Sequence, residues 1–418
     1  MTETKGLAAG LAEDIKSSWG LFLALFLIHI GLGVAGPVLN DIKGHFDLAS
    51  AAAVSLVFSA FGLARLICDL PGGYLIQRVK QEKILVLGAA ILLAGSVLVT
   101  LASTYELLLA GRVVAGTGSS LLNISALSIL NLKATASNRG RTLSMYAAFS
   151  LCGSALGPGL GGIAASFFGW RGSFGASAVA AFLALACVAS YLASSSRAPR
   201  GSVSGHENKS DSHRSAGDVP APARSFLVGA FTANFSTFVL LFALEGFNNT
   251  IIPLYGSTVL GLGPGILGFT LGVMAIARFA VSFCGGILSD RYGRTAILIP
   301  CLLLAGTGTV MLRFAHSFTV FFAVCIVFAL GRMANNVNLA LLGDVTPREK
   351  MGMMIGVNRF LADLGLTAGP WAMGMVADKW GFQAAGLAAG VAAWAMALLI
   401  WKVFGYRQGR AGQAGSRS

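Results

Sequence analysis

The stretch ARLICDLPGGYLIQRVKQEKIL, Ala64 to Leu85, aligns without a gap with ARFAVSFCGGILSDRYGRTAIL, Ala277 to Leu298, at an offset of 213 residues. Arg65 stands opposite Arg278, the pair Gly72-Gly73 opposite Gly285-Gly286, and Arg78 opposite Arg291. Other anchors keep nearly the same spacing: Pro37 with Pro253, Gly157-Pro158 with Gly369-Pro370 and, after a small indel, Gly111-Arg112 with Gly331-Arg332. One unit therefore occurs twice, and the chain has two related halves.

Both copies are set in apolar sequence. Of 418 residues, 55% belong to the AVILMFWYC set and 11% are charged, against roughly 25% charged in an ordinary soluble domain. So few charges cannot coat a water-soluble globule, and the chain is too apolar for disorder. The bilayer is the solvent that this composition calls for. Runs of about 20 apolar residues, enough to cross the hydrocarbon as helices, start near Gly20, Ala51, Ile84, Leu108, Ser144 and Ser173, and again near Phe226, Ile266, Ala296, Phe318, Met353 and Ala384. The expected fold is an all-α membrane protein whose twelve transmembrane helices form two pseudo-symmetric six-helix bundles. Between them Ser194 to Arg224 reads SSSRAPRGSVSGHENKSDSHRSAGDVPAPAR, the composition of a flexible linker. The expected divisions are a tail over 1–19, a first bundle over 20–195, a linker over 196–225, a second bundle over 226–404 and a tail over 405–418.

The net charge of +13 raises nucleic acid as a partner, but no basic stripe is interleaved with aromatics and no nucleic-acid motif is present. The charges fall in the gaps between apolar runs, where they report topology. With both termini and the linker on one side, that side holds 21 Lys and Arg, the opposite loops hold 4 (Lys43, Arg171, Arg313, Lys379), and 5 lie within spans. Such an excess predicts cytoplasmic termini, in an inner or plasma membrane. Met1 to Ser18 lacks the basic n-region and cleavage site of a signal peptide, so the first run is expected to remain as an anchor. All six cysteines lie in apolar stretches without CxxC or Cys/His pairing, so neither a disulfide framework nor a metal site is expected.

The segment Gly286-Ile-Leu-Ser-Asp290-Arg291-Tyr-Gly293-Arg294 resembles the loop signature of the major facilitator superfamily, between the second and third helices of a half. The resemblance implies a glycine that lets helices approach and a charge lock of Asp and Arg that breaks and reforms as the halves rock. The first-half copy keeps Gly73 and Arg78 but has Gln77 in place of the Asp and Val79-Lys80-Gln81 in place of the Gly-Arg register. In the fifth span Gly153-Ser-Ala-Leu-Gly157-Pro158-Gly-Leu-Gly161-Gly162 resembles the GxxxGPxxGG motif of the superfamily's antiporters. Small residues four apart make a flat helix face and Pro158 permits a kink, so this helix is expected to seal against the opposite half. A partial copy at Gly365, Gly369, Pro370 and Gly374 leaves plain packing open as the alternative.

An ionisable group inside a span costs at least about 2.5 kcal/mol on insertion scales, which makes each one a functional candidate. His29 and Glu245 lie eight residues before Pro37 and Pro253, at equivalent depths in the first and seventh spans. Both are groups suited to carry a proton, and the alternative is a cavity histidine and a carboxylate satisfied by Asn248 or Asn249. Arg112 matches the intramembrane arginine that the superfamily's antiporters carry in the fourth span, a residue implicated in proton transfer. Arg332 is its counterpart, followed by Asn335, Asn336 and Asn338. Arg65 and Arg278 form a second symmetric pair that could grip an anion. Asp69, one turn after Arg65, and Asp363, one turn after Arg359, could instead neutralise those two arginines locally.

These readings converge on a secondary transporter that alternates access by rocking two halves. Its leading form is proton-coupled antiport exporting a small, fairly apolar compound. The alternatives are proton-linked uptake or exchange of an organic anion, and a non-transporting receptor or scaffold that kept the fold. No nucleotide-binding loop, metal cluster or nucleophile elbow is present, so neither an enzyme nor a cofactor is expected. The expected partners are a small-molecule solute, protons and membrane lipid, with the chain acting as a monomer.

Overall fold

The computed structural model describes residues 2–134, 138–197, 223–332 and 334–405. Lipid offers no water to backbone groups, so every crossing is a helix. The first half comprises α1 (Thr2–Gly33), α2 (Ala51–Arg78), α3 (Gln81–Thr100), α4 (Tyr105–Lys133) and the run Arg139–Arg197, which reverses at Gly169 to give α5 and α6. The second half comprises α7 (Ala223–Val239, continued by Leu240–Glu245, Phe247–Ile251 and Ile252–Thr258), α8 (Pro264–Tyr292), α9 (Arg294–Val310), α10 (Phe318–Gly331 and Ala334–Val345), α11 (Met351–Trp380) and α12 (Phe382–Ile400). Among the described residues nine helices are long and apolar enough to cross a membrane. The reversal at Gly169 makes two crossings of one of them. The interrupted α10 and the charge-bearing α11 complete the twelve. The central linker and the C-terminal tail, at 198–222 and 406–418, lie outside the described residues.

We call the end where α1 begins and α12 finishes the terminal face, and the other the far face. On the far face Ser50, Thr104 and Ser317 cap α2, α4 and α10, each accepting a hydrogen bond from the amide three residues on. The tight reversals there fall at Gly169 (φ 65°) and Gly381 (φ 85°), equivalent positions of the two halves, in a backbone region that glycine enters at no steric cost. On the terminal face the turn after α8 uses Gly293 at φ 96°. Its counterpart Lys80 has φ −54°, so the first-half loop needs no glycine where it departs from the family pattern. Large apolar side chains such as Phe167, Phe168, Phe231 and Leu398 stand exposed on the outer surface, as a lipid solvent permits.

Glycine faces bring the helices together, and the fifth-helix motif divides its work between two neighbours. Gly153 and Gly157 lie under the Phe26 and Ile30 carbonyls of α1, and Gly161 lies against Val34, all within the first half. Gly162 alone of the four glycines meets the opposite half, where a Cβ would stand 2.5 Å from the Pro264 carbonyl oxygen and 2.7 Å from Gly268 Cα of α8. The expectation that the whole motif seals against the other half is corrected accordingly. Three glycines at four-residue spacing share one helix face, and that face belongs to α1. The copy in α11 does the same. Gly365 and Gly369 pack on α7 at Phe238 and Phe242, while Gly374 reaches across to Ala51 and Ala52 of α2.

On the far face the halves are thus joined by α5 to α8 and by α2 to α11. Asp378 of α11 adds a polar contact, its carboxylate accepting from the amides of Ala51 (2.6 Å) and Ala52 (2.8 Å), the first residues of α2. Toward the terminal face contact thins out, and a Cβ on Gly73, Gly286, Gly352 or Gly356 would meet nothing within 4 Å. The halves thus pack main chain on main chain at the far face, while these four glycines face open space toward the terminal face.

Candidate functional site

A cavity of about 250 Å³ lies at the seam between the halves. Leu32, Phe58, Phe61, Leu271, Met274 and Phe328 supply apolar wall, and Arg65, Arg112, Arg278, Arg332, Glu245, Asn248 and Asn249 supply the polar groups. Four guanidinium groups face one carboxylate.

Glu245 is buried and lies where α7 changes its winding. Leu240–Glu245 and Phe247–Ile251 are π-helical, and such turns commonly mark functional sites in helices. Its Oε1 accepts from Arg332 and from Arg278 Nη1 (3.1 Å). Arg332 is itself 2% exposed and donates through Nη1 to the Leu244 carbonyl at 3.3 Å. Isolated, each of these ions would lose several kcal/mol of hydration on burial, so the cluster holds only as a unit. Arg332 ends the first stretch of α10, which resumes at Ala334. Asn248 donates to Asn249 at 3.0 Å, and neither amide supplies Glu245, whose partners are the two arginines. The sequence foresaw Arg332 and Arg278 in the cavity but not as the partners of Glu245. Their separations in the chain, 87 and 33 residues, carry no local signal.

The first half contributes cations alone. Arg112 is 3% exposed, donates Nε to the Val57 carbonyl at 2.9 Å, and lies over the Phe61 ring at 4.5 Å. It makes no ion pair among the described residues. Arg65 has a buried Nε without a hydrogen-bond partner. Its expected local neighbour Asp69 is engaged elsewhere, accepting from Ser120 and, across the seam, from Arg359 Nη2 at 3.4 Å. Arg359 also bridges to Asp363 at 3.5 Å, as the i,i+4 spacing suggested. Asp69, Asn123, Tyr146, Arg359 and Asp363 line a second hollow of about 350 Å³ around this contact.

His29 is not among the residues lining the cavity. Its Nδ1 bonds the Leu25 carbonyl at 2.8 Å, and its Cβ packs beside Gly153 of α5. The side chains of Asn335 and Asn336 lie outside the described residues, whereas Asn338 donates to the Ala233 carbonyl at 2.9 Å and to Thr237. In the second-half loop Arg294 pairs with Asp290 and, at 3.1 Å, with Asp344 of the same half, while Arg291 and Arg78 stand exposed over Tyr292 and Tyr74. In this conformation the loop charges thus pair within the second half, and among the described residues the ion pair joining the halves is Arg359–Asp69.

The sequence matches the family model of the Major Facilitator Superfamily over residues 21–282 and again over 227–417. The chain belongs to that superfamily. Among its relatives, the Methylenomycin A resistance protein of Streptomyces coelicolor is 26% identical over 386 residues, covering 78% of this chain and 80% of that protein. Multidrug resistance protein 1 of Bacillus subtilis is 24% identical over 367 residues, 86% and 89% of the two chains. The similarity to the Methylenomycin A resistance protein of Bacillus subtilis is 28% over 173 residues, 40% of this chain and 37% of that protein. Among solved structures a D-xylose-proton symporter superposes with a TM-score of 0.74 at 15% identity, covering 93% of this chain and 98% of the other. A bacterial homolog of the human lysosomal transporter Spinster, inward-facing and unoccupied, superposes with a TM-score of 0.70 at 16% identity, covering 93% and 95%. Likeness at this identity speaks for the fold alone. The chain is a major facilitator transporter, an integral multi-pass membrane protein whose relatives include drug-resistance proteins.

Proposed function

We propose that the chain exports a small, partly apolar organic compound in exchange for protons, one chain forming one complete transport path. The observation that carries this reading is Glu245, the single carboxylate in the cavity lining, clamped by Arg278 and Arg332. A proton can settle on it only by weakening both ion pairs. That frees two guanidinium groups and reshapes the wall against which the solute sits, so proton and solute compete for one arrangement of the cavity. Binding that favours one arrangement shifts the balance between conformers by its differential affinity. The count of basic residues supports a cytoplasmic terminal face, and the open space beside Gly73, Gly286, Gly352 and Gly356 supports loading from that side. The resistance relatives support export as the direction.

The test is transport in proteoliposomes under an imposed pH gradient, comparing the wild type with Glu245→Gln. Exchange predicts proton entry with solute exit in the wild type, and transport that no longer responds to the gradient in the variant. A variant that keeps the wild-type pH dependence removes Glu245 from coupling. A second reading, proton-linked movement of an organic anion, is favoured by the excess of arginine over carboxylate in the lining.

A further inference from the structure

We infer that the cavity binds an organic anion with one charged head and an apolar body, its head held by Arg112 and Arg65. Glu245 is already taken up by Arg278 and Arg332 in the second half. That leaves two first-half guanidinium groups in the lining, neither of them in an ion pair among the described residues. Arg112 is nine-tenths buried and more, yet its protein partners are one backbone carbonyl and the faces of Phe61 and Phe174. Arg65 keeps a buried Nε unpartnered, and the two carboxylates of its surroundings, Asp69 and Asp363, are both engaged by Arg359. A guanidinium as buried as that of Arg112 is costly without a counter-ion, and its planar fork matches a carboxylate or a phosphonate. The missing negative charge is what the ligand supplies. The hollow behind Arg112, about 10 Å³ in volume, is too small for a solute, so the head must come from the main cavity. There the ring of Phe61 and the side chains of Leu271 and Met274 suit an apolar body. At about 250 Å³ the space lies near the small end of ligand pockets, which run from roughly 300 to 1,000 Å³.

This proposal deepens the second reading above and rests on it for transport, although binding stands by itself. A bound anion would also draw a proton onto Glu245 rather than expel it, so such a ligand favours proton and solute moving together.

The experiment uses the purified full-length protein in an uncharged detergent. Benzoate, benzamide and benzylammonium share one shape and differ in charge, and the corresponding naphthalene series extends the body; thermal unfolding reports binding. The anions should raise the melting temperature while the neutral and cationic members do not. Arg112→Gln and Arg65→Gln should each weaken the anion response about tenfold or more, as expected for losing a hydrogen bond to a charged group. Arg112→Lys should restore part of it. If Arg112→Gln fails to fold, Arg65→Gln decides. Equal stabilisation by the neutral members, an anion response unchanged in the variants, or no anion-selective response in either series overturns the proposal. Anion-selective binding without counterflow in proteoliposomes would remove the transport reading and keep the site. Benzoate counterflow in proteoliposomes that Arg112→Gln and Arg65→Gln both leave unchanged would do the reverse.

Discussion

The junction of α5 with α8 and the junction of α2 with α11 occupy equivalent places in the two halves, yet one is closed by bare backbone and the other adds charge. Both contain a glycine pressed on the neighbouring main chain: Gly162 against Gly268, and Gly374 against Ala52. Beyond that they part. At α5–α8, Ser166 bonds its own Gly162 carbonyl and contributes no polar contact across the seam. At α2–α11, Asp378 clips the first amides of α2, and Arg359 reaches Asp69 further along the same pair of helices. A contact of backbone on backbone can tilt or slide while keeping much of its area, whereas a carboxylate on a helix N-terminus is either docked or lost. The electrostatic cost of rocking is therefore concentrated at one of two symmetric seams, with the other serving as a bearing.

Three kinds of substitution test this contrast. Leucine at Gly162 or at Gly374 should cost about 1–3 kcal/mol or more, because the atoms in the way are main chain and cannot retreat. Thermal unfolding in detergent checks this, and a loss at one seam alone would break the symmetry. Asp378→Asn should cost about 1 kcal/mol through the weakened hold on the α2 N-terminus, shifting the population about fivefold toward conformers open at the far face. Spin-label distances between the ends of α2 and α11 report it, and Ser166→Ala at the other seam should leave them unchanged. Arg359→Gln should have the smallest effect, at most about 1 kcal/mol for so exposed an ion pair. That effect should fade as salt is raised; an effect insensitive to salt would mean that packing, not charge, joins the helices there.

Much of the fold was legible because lipid imposes few choices: twelve apolar runs, a repeat at an offset of 213, and glycines at matching places. The cavity arginines were legible too, since charge inside a span is rare and conspicuous. Pairing was not. Spacing along α2 suggests Asp69 for Arg65, but the partner that wins, Arg359, lies 290 residues away. His29 and Glu245 share a depth by count of residues to the following proline, yet the π-helical turns between Glu245 and Pro253 alter how far the helix rotates over that count. Equal spacing therefore does not give equal facing, and nothing in the string LLFALEGFNNTI announces the change of winding. The division of the fifth-helix glycines between α1 and α8 was likewise hidden, because a small residue reports that something comes close and not what.

Arg112 and Arg332 are twins by sequence, but the first lies inside an unbroken helix and the second closes one helical stretch before another opens. At that depth the first half is continuous helix and the second leaves its helix at Arg332. Loosening the grip of Arg332 on Glu245 would act at a point where the winding has already tightened, the Arg332 amide bonding the Ala329 carbonyl three residues back at 3.1 Å. The two sextets would then share the stroke unequally, one pivoting as a block while the other bends within itself.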